Sequence, residues 1–213
     1  MNRAIGSIRE ICLRVRHSLS ALRQDRSGIA ATEFAVIVPI MLVMFFGTVE
    51  FSTGVAIDRK VTIMARALAD LTSQSGVVSA ADLDNFRAAS GAIMQPYVSP
   101  IYPAPNSTIS ELYIDPTSGN ARVQWSYGSS IRAQSSIVNI PAALISRDPN
   151  TNAIIPNQYL LFSEINFQYT PTIGYVMAPS GVLLADVAYT RPRNSTCVFY
   201  PPPAPSPATC PTF

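Results

Sequence analysis

The chain has 213 residues, of which 48% are hydrophobic and only 13% are charged. Its net charge of +2 is unevenly divided, because residues 1–28 carry six arginines against two acids, whereas the remainder carries nine basic and eleven acidic residues. This division gives no support to nucleic-acid binding, which favours a basic surface. The single histidine, His17, lies in the basic leader. The rest of the chain therefore has no imidazole that could act as a base or as a metal ligand.

A long apolar segment follows the leader. From Gly28 to Val49 the only charge is that of Glu33. At about 1.5 Å of rise per residue, a helix of this length crosses a hydrocarbon core of about 30 Å. Pro39 lies inside the segment, and a membrane helix tolerates a proline. The segment predicts one transmembrane helix, and the arginines before it predict a cytoplasmic N-terminus and an exported C-terminal part.

The junction between leader and helix has the pattern of a prepilin. The leader ends in Gly28, the apolar segment begins at Ile29, and Glu33 is the fifth residue after the glycine. A glycine gives a peptidase close access to the backbone. Glu33 can compensate the charge of a new amino group at Ile29 of an adjacent subunit, where water is scarce. The alternative is an uncleaved anchor whose Glu33 extends toward the lipid head groups.

The helical pattern continues beyond the membrane segment. Apolar residues recur at spacings of mostly three and four from Phe51 to Leu71. They predict a continuous helix from about Ile29 to Ser73, with one apolar stripe for a partner. Gly76 ends this helix, and Ser79 is predicted to cap a second one.

Strand patterns begin near Thr108. The turn at 115–120 makes the first two predicted strands a hairpin, with Val123, Trp125 and Tyr127 on one buried face. The predicted fold class is α+β, a long N-terminal transmembrane helix projecting into a small exported domain with an antiparallel sheet. The predicted strands lie at 109–114, 121–127, 159–169 and 183–189.

The cysteines divide between the two compartments. Cys12 belongs to the leader, whereas Cys197 and Cys210 face the oxidising side and can form a disulfide around a proline-rich loop. Closing a loop of this size is worth about 3 kcal/mol. The predicted segments are a cytoplasmic leader at 1–28, a transmembrane helix with its exported extension at 29–75, an exported α+β domain at 76–196 and a disulfide-clipped tail at 197–213.

No constellation of catalytic residues is evident. The acids of the exported part are scattered, and a lone strand carboxylate such as Glu164 is more often structural than catalytic. Two cysteines without histidine make a poor zinc site. The sequence therefore predicts a protein that is not an enzyme and holds no cofactor or metal. Arg191 and Arg193 flank a proline and either bind the carboxylates of a partner or form a solvated strand end.

The N-terminal segment resembles a known family. Ser27-Gly-Ile-Ala-Ala-Thr-Glu-Phe-Ala-Val-Ile-Val-Pro39, with the helix that continues to Gln74, is similar to the TadE/TadG-like proteins of tight-adherence (Flp) pilus systems. The strand at 164–171 and the ending at 189–193 look similar too. The larger TadG type carries a metal-ion-dependent adhesion domain, and its Asp-x-Ser-x-Ser motif is not found here, which favours the TadE type.

The resemblance implies a minor pseudopilin or assembly component in the bacterial inner membrane. Prepilin peptidase would cleave between Gly28 and Ile29, and Glu33 would pair subunits. The implied partners are other pilins or pseudopilins and the membrane proteins of pilus assembly. The alternatives are an uncleaved scaffold of the inner membrane and a surface adhesin with an exported β-rich binding domain.

Overall fold

The computed structural model describes residues 27–98, 104–171, 181–202 and 209–212. The basic leader predicted at 1–28 therefore lies, up to residue 26, outside the described residues. The described residues form two compact units, one ending at Val49 and one beginning at Glu50. Helix α1 (Ser27–Ser73) provides the first unit and the first element of the second.

A second helix follows after a short connection. Helix α2 (Ala80–Gly91) continues into a 3-10 turn at Ala92–Met94. The hydroxyl of Ser79 accepts a hydrogen bond from the backbone N–H of Asp82 at 3.2 Å, and the N–H of Ser79 donates to Asp82 Oδ2 at 2.9 Å. This reciprocal capping box confirms the helix start predicted at Ser79.

The second unit contains the predicted antiparallel sheet, with a short fifth strand in addition to the four that were predicted. Its strand order is β3-β2-β1-β4-β5, so β1 lies at the centre and β5 lies at one edge. A long N-terminal apolar helix followed by a small domain with an antiparallel sheet confirms the α+β class. The strands are β1 (Asn106–Ile114), β2 (Ala121–Gly128), β3 (Ile137–Val138), β4 (Gln158–Tyr169) and β5 (Val182–Thr190).

The apolar stripe of α1 packs against this sheet. Ile57, Val61, Met64 and Leu68 are at most 1% exposed and share a core with sheet residues that include Ile109. Full burial of such side chains is worth about 1.5–3 kcal/mol each. The prediction that this stripe serves a partner is therefore wrong from Ile57 onward, because the chain's own sheet covers it.

A β-bulge changes the predicted face of β2. Trp125 lies opposite Glu111 whereas Val123 lies opposite Leu112, so Gln124 is the extra residue. The bulge turns Val123 to the face of the sheet away from α1, while Trp125 packs in the core beneath α1. The predicted single face shared by Val123, Trp125 and Tyr127 is therefore wrong, since period-2 alternation does not continue through a bulge.

The C-terminal tail is built into the second unit. Cys197 and Cys210 form the predicted disulfide, and Cys197 is fully buried beside Tyr113 and Tyr159. The next residue, Val198, is fully buried in the core beneath α1. The tail therefore fills part of the core in addition to closing a loop.

Candidate functional site

The part of α1 up to Val49 has the surface of a membrane helix. Apart from the half-buried Val38, its large apolar side chains from Phe34 to Val49 are between 40% and 74% exposed. An 18-residue window reaches a mean hydropathy of 2.3, and none of it is buried. Among the described residues this is the one helix that is long and apolar enough to cross a membrane. The segment is therefore compatible with a single-pass anchor.

The predicted processing and pairing residues lie at the start of this helix. Gly28 is exposed, and a side chain added there would meet no atom of the described residues within 4 Å. Ile29 is 53% exposed. Glu33 is also exposed and lies one turn after Ile29, on the same face of the helix. The roles of these three residues stay predictions.

The second unit contains a fully buried carboxyl group, that of Glu111 in β1. Its Oε1 accepts a hydrogen bond from the backbone N–H of Val198 at 2.5 Å. Its Oε2 accepts one from Trp125 Nε1 at 3.1 Å, and the same indole N–H donates to the carbonyl of Val198 at 2.7 Å. Glu111 therefore joins two strands of the sheet to the C-terminal tail.

Burial controls the titration of this carboxyl group. Removal from water raises the pKa of Glu111 to about 8, although the hydrogen bonds from Val198 and Trp125 act in the opposite direction. The group is therefore mostly protonated at neutral pH. A carboxyl group with such a pKa suits acid-base chemistry, but both of its oxygens bind the chain itself and no part of the residue is exposed. We conclude that Glu111 is structural.

Glu164, the strand acid considered in the sequence analysis, forms an ion pair. Arg132 Nε and Nη2 donate to the two carboxylate oxygens of Glu164, each at 2.6 Å. The guanidinium also lies 5.4 Å from the ring centre of Phe162, which stacks on Tyr189. This bidentate pair holds the segment after β2 against β4. The contact of Glu164 is therefore a structural one.

Comparison with protein families identifies the N-terminal part. Residues 28–70 match the family model described as TadE-like protein. The chain carries a TadE-like segment. The predicted resemblance to the TadE/TadG-like family is thereby confirmed. Comparison with curated proteins and with solved structures found no match.

The TadE-like segment coincides with the helix that carries the membrane-compatible surface. The match begins at Gly28, one residue after α1 begins, and it continues beyond Val49 into the part of α1 that packs on the sheet. The match and the helix together describe a TadE-like segment that is compatible with a membrane anchor.

Two arginines near the end of β5 were predicted to contact a partner, and both have partners within the chain. Arg191 Nη2 donates to the carbonyl of Leu144 and to Ser146 Oγ, each at 2.8 Å. Arg193 forms an ion pair with Asp70 of α1. These bonds hold the end of β5 to the rest of the unit, and contact with another protein stays a prediction.

The Glu111 contacts were missed in the sequence, although one signal was present. Ile109, Glu111 and Tyr113 alternate along β1, so an acid occupies a face that two apolar residues define. Nothing local indicated the contact with Val198, which is 87 residues further along the chain. Only the fold brings the tail to this strand.

Proposed function

We propose that the protein is a non-enzymatic, membrane-anchored assembly component or minor pseudopilin of a tight-adherence pilus system. The observation that carries the proposal is the coincidence of the TadE-like match with an exposed apolar helix that begins at Ser27. The stripe after Ile57 is covered by the chain's own sheet, so the segment up to Val49 supplies the apolar surface for association with other subunits.

The proposed orientation follows from charge. The leader carries a net charge of +4, from six arginines and two acids, and positive flanks remain in the cytoplasm. The anchor then lies in the inner membrane of a bacterium, and the second unit lies on the periplasmic side. The Cys197–Cys210 disulfide supports this orientation, because disulfides persist in oxidising compartments.

We further propose that prepilin peptidase removes the leader after Gly28. Glu33 then pairs with the new amino group of Ile29 on a neighbouring pilin or pseudopilin. The exposure of all three residues supports this, since neither the peptide bond nor the carboxylate is covered by the described residues. In the low-dielectric interior of a helix bundle, such a pair neutralises two charges that would be costly alone.

The contacts of two acids in the second unit, Glu111 and Glu164, support a structural role. Glu111 is sealed inside the unit, and Glu164 is bound by Arg132. Within the described ranges, no group of three or more His, Cys, Asp or Glu residues is placed to hold a metal ion. We therefore propose no catalysis, cofactor or nucleic-acid contact for this protein.

Substitution of Glu33 tests the proposed association. We expect Glu33→Ala to lower the amount of protein incorporated into pilus or assembly complexes by more than about tenfold, because an uncompensated partner charge in a desolvated interface costs 2 kcal/mol or more. Membrane insertion should be normal. The measurement is quantitative immunoblotting of sheared pilus and crosslinked membrane fractions.

Two matched variants support the interpretation of that test. Asp84→Ala removes a carboxylate that pairs with Arg87 on the surface of the second unit, outside the apolar segment, and should leave incorporation near the wild-type level. Glu33→Asp retains the charge and should restore a large part of the incorporation. Wild-type incorporation of Glu33→Ala would refute the pairing role.

A further inference from the structure

Strand β5 forms an open edge of the sheet in the second unit. Within the described residues it pairs with β4 alone, along its full length from Val182 to Thr190. The opposite edge is β3, which has only two residues. The unpaired backbone groups of an edge strand can pair with a strand of another chain, and proteins often prevent this by keeping the edge strand very short. Strand β3 is protected in this way, whereas β5 is not.

The hydrogen bond of Val187 shows which backbone groups of β5 face outward. The N–H of Val187 donates to a side-chain oxygen, Asp186 Oδ1, at 2.7 Å. A backbone N–H in the ladder with β4 would donate to a carbonyl of β4 instead, so the N–H of Val187 points away from β4. Backbone groups alternate along a strand, and those of every second residue from Leu183 to Tyr189 therefore point to the open edge.

The side chains of β5 leave the open edge accessible. Leu183 is 61% exposed, Val187 is 47% exposed, and Ala185 between them is exposed as well. Prolines and charged side chains commonly prevent pairing at an edge strand. Strand β5 contains no proline, and its one charged residue, Asp186, accepts hydrogen bonds from Thr62 of α1 and from the N–H of Val187. The open edge is therefore apolar and unblocked.

A cavity of about 510 Å³ lies beside the C-terminal end of the open edge. Thr190 lines it at the end of β5, together with Arg193, and Arg66 lines it from α1. Arg193 pairs with Asp70, whereas Arg66 is exposed and forms no ion pair with any of the described residues. We call this the Arg66 cavity. Its uncompensated guanidinium group suits a carboxylate.

We propose that β5 binds an extended peptide segment of another protein, which adds to the sheet as a further strand and places an acidic side chain in the Arg66 cavity. Backbone hydrogen bonds to the open edge supply the affinity, and the carboxylate at Arg66 supplies the specificity. A second copy of β5 does not supply this charge, because both carboxylate oxygens of its one acid, Asp186, are bound within its own chain. The proposed strand contacts the second unit alone and does not require the membrane anchor.

Peptide selection on the full chain tests this proposal. A random library of nine-residue peptides, the length of β5, is selected against the wild-type chain in detergent micelles, and binding is measured by fluorescence anisotropy. Val187→Pro removes an N–H at the open edge and no bond of the β4 ladder, and Val187→Ala retains that N–H as the matched control. Arg66→Glu reverses the charge in the Arg66 cavity. Its matched control is Arg59→Glu, which changes an exposed arginine of α1 outside the cavity.

We expect the selected peptides to alternate apolar residues along their length and to share an acidic residue. Val187→Pro and Arg66→Glu should each weaken their binding by about tenfold, because each removes a bond to the peptide. Val187→Ala and Arg59→Glu should bind as the wild type does. Urea unfolding checks that each variant is folded. If Val187→Pro does not fold, peptides with an N-methylated backbone take its place, since they lack the same hydrogen bonds on the partner's side.

Three results would overturn the proposal. Equal binding to Val187→Pro and Val187→Ala, equal binding of N-methylated and unmodified peptides, or the selection of no peptide would refute pairing at the open edge. Equal binding to Arg66→Glu and Arg59→Glu would refute the acidic contact. Selected peptides that resemble residues 182–190 and lack a shared acid would assign the open edge to a second copy of this chain instead of an acidic partner.

Discussion

Between pH 5 and pH 8, the free energy of unfolding of the second unit is expected to fall by several kcal/mol, and the Glu111→Gln variant is expected to lose most of this dependence. The pKa of Glu111 is raised from its ordinary 4.5 to about 8 by burial. Within this window the folded chain holds a proton that the unfolded chain has released, so stability decreases as the pH rises. The slope is at most about 1.4 kcal/mol per pH unit.

Few other groups are expected to change the free energy of unfolding between pH 5 and pH 8. Hydrogen bonds within their own turns hold the pKa of Asp115 and of Asp148 below the usual range, so these acids lose their stabilising contribution only at lower pH. The chain's one histidine, His17, lies in the leader. The part of the slope between pH 5 and pH 8 that Glu111→Gln abolishes can therefore be assigned to Glu111.

The measurement is urea unfolding of the full chain in detergent micelles, followed by tryptophan fluorescence. Trp125 is the only tryptophan and donates to Glu111 itself, so the signal reports on this site. Glu164→Gln is the matched control and should retain the wild-type slope, because that acid is paired with Arg132 near the surface. Equal slopes in Glu111→Gln and the wild type would contradict the assignment.

Loss of the disulfide is expected to lower the free energy of unfolding by about 3 kcal/mol in the Cys210→Ala variant. Part of this effect is the entropy of a loop that spans 13 residues. The folded state adds a second reason: Pro211, next to Cys210, accepts hydrogen bonds from Gln124 Nε2 at 3.0 Å and Tyr159 Oη at 2.9 Å. Without the crosslink the tail is free in the unfolded chain. The formation of these contacts and the burial of Val198 then cost more conformational entropy on folding.

Urea midpoints with and without reducing agent measure this effect. The wild type should shift to lower urea on reduction, whereas Cys210→Ala should already be low and should not shift further. Cys12→Ala is the matched control and should behave as the wild type under both conditions. An oxidised wild type no more stable than Cys210→Ala would contradict the prediction.

The local elements could be predicted from the sequence because their signals are local. Ser79 and Asp82 lie three residues apart and form the predicted cap. The turn between β1 and β2 contains Asp115 and Gly119, which bond within the turn, and the hairpin formed as predicted. The two cysteines after the membrane segment had only each other as partners, and they form the disulfide.

The missed features depend on contacts between distant residues or on a single insertion. The bulge at Gln124 reverses the face of Val123, and no composition signal marks it. The stripe on α1 was assigned to a partner because amphipathic spacing shows that one face is covered, but not by what. Likewise, the sequence showed Glu111 on a strand, but its partner Val198 comes from the tail.

The central claim is that the TadE-like helix is a processed, membrane-embedded association segment. Its most direct test is the intact mass and N-terminal sequence of the protein recovered from its native membrane. The account predicts a chain that begins at Ile29 and lacks the mass of residues 1–28. A chain that begins at Met1 would contradict prepilin-type processing and would leave an uncleaved scaffold with a basic cytoplasmic tail.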